Sequence, residues 1–166
     1  MNKKYNFNQH RHNFSMWTAA RAVQRNFTTT ENIVIAIENS GLRDFVESFK
    51  NKSKEEFSFF HLQCSSKLIK SLKDQNCTYG IAAKIIAIYL KTALIIYNKG
   101  QKCDNIHPPL DRMLITNFIE CNKIKEYTYK PWTKLSKKDY WDLISLIEKY
   151  HGKIDWRLEC YWQVFK

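Results

Sequence analysis

Residues 76–98 read NCTYGIAAKIIAIYLKTALIIYN, and this stretch decides the fold class. From Tyr79 to Tyr97 apolar side chains fall on nearly every face of a 3.6-residue helix, without the alternation of a strand. A helix apolar nearly all round is one that other helices surround, so this is the expected central helix of the domain. The longest apolar stretch, Ile81 to Ile96, is interrupted by Lys84 and Lys91 and is shorter than the roughly 20 residues that span a bilayer. A core helix is therefore expected, and no membrane partner.

Working outward from this helix, Ser53-Lys54-Glu55-Glu56 is a capping box that opens a long helix through Phe57, Phe60, Leu68, Ile69 and Leu72. Before it lie a short helix over about Leu42–Phe49 and a helix through Ile33 and Ile37. The latter is opened by a capping box running from Thr28 to Glu31 and stopped by Gly41. Phe14–Arg25 places Phe14, Trp17, Ala20 and Val23 on one helical face. Residues 1–13 are polar and read as a flexible arm, without the apolar centre of a signal peptide. On the other side, Asn98–His107 is a polar loop, and Pro108-Pro109 opens a helix over about Leu110–Cys121. Asn122–Lys134 is basic and irregular. Ser136 to Asp139 caps a helix through Leu143, Ile147 and Tyr150 that Gly152 ends, and a last helix covers about Ile154–Phe165. Only 4 Gly and 3 Pro among 166 residues argue against a turn-rich β-sandwich or barrel. The expectation is a single compact all-α domain of about eight helices over residues 1–166.

The chain carries 27 Lys and Arg against 16 Asp and Glu, a formal net charge of +11. A small, strongly basic domain most often meets a polyanion, usually nucleic acid. The five cysteines, Cys64, Cys77, Cys103, Cys121 and Cys160, are widely spaced and form no CxxC pair. They suggest neither a zinc site nor a disulfide framework and fit a reducing cytoplasm. No Gly-rich phosphate loop, HExxH or clustered cysteine spacing appears, so no cofactor and no metal are expected.

Two segments could carry chemistry. In Gly80-Ile81-Ala82-Ala83-Lys84 the lysine falls near the start of an apolar helix, where the positive dipole end and burial both favour a neutral, nucleophilic amine. Alone, Lys84 reads more readily as a stem lying on apolar surface with its head in water. In Pro109-Leu110-Asp111-Arg112-Met113 the carboxylate stands at a helix start, where negative charge is welcome, behind a rigid Pro-Pro approach.

Together the two segments resemble helix-hairpin-helix DNA glycosylases of the 8-oxoguanine type, which carry a Gly-Val-Gly-x-Lys hairpin and a later Pro-Val-Asp. The second hairpin glycine is Ala82 here, Thr78-Tyr79 replaces the usual Leu-Pro, and Met113 stands where a His is common. The resemblance covers about Asn76–Glu120 and is nearer to minimal archaeal or bacterial members, and to the small bacterial glycosylases of phage defence, than to the mammalian enzymes. It implies a helix-hairpin-helix-like element, Lys84 as the nucleophile at the sugar C1′ and Asp111 as its acidic partner; with Lys84 protonated, Asp111 instead orients an attacking water and the product is an intact abasic site. It also implies a modified base in double-stranded DNA as substrate, of which α-glucosylated hydroxymethylcytosine of phage DNA is one and 8-oxoguanine another.

A glycosylase must flip its nucleotide out of the stack. On this reading the backbone of Tyr79, Gly80, Ile81 and Ala82 approaches phosphate, as helix N-termini do. Lys91, Arg112 and the run Lys123, Lys125, Lys130, Lys134, Lys137 and Lys138 are further candidate phosphate contacts. Asn13, Trp17, Arg21, Gln24 and Trp162 are candidates for the base pocket, with His10, His12 and Trp156 behind them. His107 reads as a loop residue. Two other classes use the same composition: a non-catalytic helical DNA-binding protein, in which Lys84 and Asp111 need not meet, and a helical protein-interaction module, whose contact with DNA would be weak and insensitive to salt.

Overall fold

The computed structural model describes residues 4–163. Among them are seven α-helices and no strand: α1 (Phe7–Val23), α2 (Thr30–Glu38), α3 (Leu42–Glu47), α4 (Lys54–Ser71), α5 (Tyr79–Leu90), α6 (Arg112–Cys121) and α7 (Lys137–His151). Short 3-10 turns cover Lys73–Gln75, Trp132–Lys134 and Trp156–Tyr161.

α5 is the central helix. Thr78 caps it, its hydroxyl accepting from the Ile81 N–H at 3.2 Å. Of its twelve residues only Lys84 and Ile88 escape full burial. Its chain continues as a π-helical segment, Lys91–Ile96. At that junction the Thr92 hydroxyl donates to the carbonyls of Ile88 and Tyr89, both at 3.0 Å, occupying acceptors where the regular ladder changes register. The run Tyr79–Ile96 is long and apolar enough to cross a membrane, and 72% of it is buried inside the protein.

Two apolar clusters meet on α5. One packs Met16, Ala19, Ala20 and Val23 of α1, Ile33 and Ile37 of α2 and Phe57, Cys64 and Leu68 of α4 against Ile81, Ile85, Ile86 and Tyr89. The other joins Tyr79 and Ala83 to Leu114 and Phe118 of α6 and to Tyr140, Leu143 and Ile147 of α7. Trp132 packs against both. Burial pushes the Cys64 and Cys77 thiols up to about 12, which makes them inert core residues, while Cys121 and Cys160 are exposed.

The capping boxes at Ser53–Glu56 and Ser136–Asp139 form as expected, and Gly152 ends α7 in the left-handed conformation. Other boundaries differ. Residues 7–13 are not an arm: Asn6 caps α1 by accepting from the Gln9 N–H, and helix runs from Phe7. The buried face of α1 is His12, Ser15, Met16, Ala19, Ala20 and Val23, so Phe14 and Trp17 point outward. The cap of α2 is Thr29 and not Thr28, whose hydroxyl instead accepts from the Asn32 side chain. α6 starts two residues later than Leu110, because Asp111 is itself the cap. The last segment is a 3-10 turn ending at Tyr161, and Val164 and Phe165 lie outside the described residues.

Candidate active site

α5 and the start of α6 bring Lys84 and Asp111 together. Lys84 Nζ lies 3.9 Å from Asp111 Oδ2, and both side chains are largely removed from solvent. The other carboxylate oxygen of Asp111 accepts from the Leu114 N–H at 3.1 Å, which fixes the carboxyl at the positive end of α6. Lys84 stands in the second turn of α5, so the helix-start argument for its neutrality does not apply. Burial lowers its pKa, and the facing Asp111 charge acts in the opposite sense. The ammonium position also lies over the Trp132 ring, 4.2 Å from its centroid.

Gly80, Ala83, Lys84, Pro108, Leu110, Leu135 and Tyr140 line a cavity of about 10 Å³ at this pair. That is room for one water and not for a base. Trp132 packs against this pair, its ring at Lys84 and its carbonyl against Gly80.

The expected phosphate cradle over Tyr79–Ala82 is occupied within the chain. These residues are buried in the first turn of α5. The Gly80 N–H donates to the Leu135 carbonyl at 3.1 Å, that of Ile81 to the Thr78 hydroxyl and that of Ala82 to the Thr78 carbonyl. Gly80 is needed for close approach rather than for DNA: a Cβ there would stand 1.9 Å from the Trp132 carbonyl oxygen. Lys91 is likewise engaged, paired with Glu159 and 5.3 Å from the Trp162 ring centroid. Arg112 is exposed beside Asp111, at the first position of α6.

The proposed base-pocket residues do not gather at Lys84. Asn13, Trp17, Arg21 and Gln24 line the outward side of α1. Asn13 accepts from Gln9, Trp17 stacks with Phe14 and Gln24 accepts from the Thr30 hydroxyl. His12 is buried, between the Tyr89 hydroxyl at 2.6 Å and Glu38 at 3.1 Å. Trp162 stands beside Lys91, the first residue of the π-helical segment, rather than beside Lys84 or Asp111.

A polar network that no sequence motif announces supports the site from behind. Trp141 Nε1 donates to the Tyr79 hydroxyl at 3.0 Å, Tyr79 meets His61 Nδ1 at 3.1 Å, His61 Nε2 meets the Tyr140 hydroxyl at 3.3 Å, and Tyr140 meets His107 Nδ1 at 2.9 Å. An indole can only donate, so the Tyr79 hydroxyl accepts from Trp141. One assignment then satisfies every member with both imidazoles neutral: Tyr79 donates to His61, His61 to Tyr140 and Tyr140 to His107. Burial acts the same way, pushing His61 down to about 3 and His107 well below its ordinary value. The network ties α4, α5 and α7 to the loop that leads through Pro108-Pro109 to Asp111, and Tyr140 lines the Lys84 cavity. The sequence signal is His61 at core spacing with Phe57, Cys64 and Leu68 on α4. No group of three or more His, Cys, Asp or Glu able to hold a metal lies together among the described residues.

No family model, no curated protein and no solved structure matches the chain, so the site stands on its own geometry.

Proposed function

We propose that the chain is a DNA glycosylase that excises a modified base at Lys84 and Asp111. The observation that carries this reading is the meeting of these two side chains, distant in sequence, in a desolvated setting that lowers the lysine pKa. In the reaction the bond from C1′ to the base breaks and its electron pair leaves with the base. The Asp111 carboxylate faces the positive charge that develops on the sugar. Deprotonated, the Lys84 amine forms the new bond to C1′ and passes a proton to Asp111, giving a covalent intermediate from which strand cleavage can follow; protonated, it leaves Asp111 to orient an attacking water, and the product is an intact abasic site. The substrate class, α-glucosylated hydroxymethylcytosine of phage DNA in a defence role, rests on the resemblance of residues 80–84 and 109–111 alone. A flipped base enters only if the segment carrying Trp132 moves aside.

The closed cavity favours a second reading, a basic DNA-binding protein in which Lys84–Asp111 is a structural pair under Trp132. One experiment separates the two. Duplexes holding cytosine, hydroxymethylcytosine, α-glucosylated hydroxymethylcytosine or 8-oxoguanine are incubated with the protein, and abasic sites are counted with an aldehyde-reactive probe. The glycosylase reading expects abasic sites on one of them, abolished in Asp111→Asn, and a borohydride-trapped adduct that disappears in Lys84→Ala. Binding without abasic sites on any duplex establishes the second reading.

A further inference from the structure

We propose that the far end of the α5 chain carries a second nucleic-acid site, a basic groove at Tyr97 that holds a single DNA strand with unstacked bases. The inference does not rest on the chemistry at Lys84 and Asp111. Lys50, on the segment after α3, and Lys99 and Lys102, on the loop after the π-helical segment, line a groove of about 430 Å³ together with Tyr97. No acidic residue lines it. Tyr97 is about half exposed.

The groove continues onto the outward side of α1. Phe7 packs against Tyr97 with ring centroids 5.8 Å apart, and the Arg11 guanidinium lies 4.4 Å over the same ring. Farther along α1, Phe14 and Trp17 stack on each other, each more than half exposed, near the exposed Arg21. α1 contains no Asp or Glu, and among the described residues Arg11 and Arg21 form no ion pair. Phe7 with Tyr97 and Phe14 with Trp17 thus form two contacting aromatic pairs, every ring about half exposed.

Charge and shape select the occupant. Cations without acids call for a polyanion, and half-exposed aromatic rings among them call for bases that can stack. A duplex hides its base faces and would use only the lysines and arginines. A single strand uses both sets of groups. Lys84 lies about 20 Å back along the helix from Tyr97, so this surface is a binding face of its own and not the rim of the Lys84 cavity.

The test is fluorescence anisotropy of a fluorescein-labelled oligodeoxythymidine titrated with the full chain, the same titration with its blunt duplex form, and sedimentation with phosphatidylserine vesicles. The variants are Tyr97→Ala, Tyr97→Phe and the pair Lys99→Glu/Lys102→Glu, all at exposed positions, with circular dichroism melts to show that each folds. Expected are single-strand binding weakened roughly tenfold or more by Tyr97→Ala and retained by Tyr97→Phe. In the lysine pair, the slope of log affinity against log salt should fall by roughly 1.4, about 0.7 for each phosphate that is no longer neutralised. Single-strand binding indifferent to all variants overturns the proposal. So does duplex binding of equal strength that ignores Tyr97→Ala, which would make the groove a phosphate-binding surface only. Vesicle binding abolished in the variants, without oligonucleotide binding, would overturn it in favour of a membrane-facing surface. None of these readouts involves base excision, so failure here and failure at Lys84 are told apart.

Discussion

Asp111 has two jobs that substitution can separate. As the cap of α6 it accepts the Leu114 N–H, and as a carboxylate it faces Lys84. Asparagine caps a helix about as well as aspartate but carries no charge. Asp111→Asn should therefore keep near wild-type stability in urea denaturation while losing excision. Asp111→Ala should lose excision and, in addition, about 1 kcal/mol of stability. Gly80 gives a second prediction at this scale. A methyl group there meets the Trp132 carbonyl, so Gly80→Ala should cost about 1–3 kcal/mol and lower the melting temperature. The pairing of Lys84 with Asp111 was legible from the two short motifs. The Trp132 cover was not, because it comes from an irregular segment whose position no periodicity encodes. Gly80 was legible as a small residue at a close approach, but the approaching backbone is the chain's own.

At the level of elements, helix starts marked by reciprocal side-chain bonds were readable, and those marked by a single bond only in part: α5 begins at Tyr79 as expected, whereas α1, α2 and α6 begin elsewhere than expected. Ser53 with Glu56 and Ser136 with Asp139 each satisfy two backbone donors, and both boxes form. Three threonines in a row at 28–30 offer three equivalent hydroxyls; Thr29 takes the cap, while Thr28 accepts from the Asn32 side chain and Thr30 donates to Gln24. The first turns of α1 are polar on sequence because most of their side chains face outward; only His12, Ser15 and Met16 near its middle mark the packed side. Ser136→Ala should destabilise the protein by about 1 kcal/mol, measured by urea denaturation, because the Asp139 N–H at the start of α7 loses its acceptor.

At the scale of the whole molecule, the His61–Tyr140–His107 chain couples stability to pH. Both imidazoles titrate lower in the folded chain than the 6.5 or so of an unfolded one. As pH falls below about 6.5, the unfolded chain takes up protons that the folded chain refuses, so stability falls, by up to about 1.4 kcal/mol per pH unit for each histidine. Urea midpoints measured between pH 7 and pH 5 should decline, and His61→Gln should flatten that decline. The window lies above that of the surface carboxylates Glu126 and Asp139, whose lowered pKa values matter only in stronger acid. The all-α class and the central helix were legible because they follow from the apolar content of residues 79–97. The network was not, since its members come from four separate segments and become neighbours only on folding.

The π-helical segment at Lys91–Ile96 acts as a phase shifter. A regular helix advances each residue by about 100° around its axis, and a wider turn sets everything beyond it back by a fraction of that. The bearing of Tyr97 relative to Lys84 is therefore determined by one residue's worth of backbone. Deleting Thr92, whose hydroxyl occupies the two carbonyls at the junction, would turn Tyr97 to a new azimuth, away from Lys50 and Arg11, and undo the groove without removing any of its side chains.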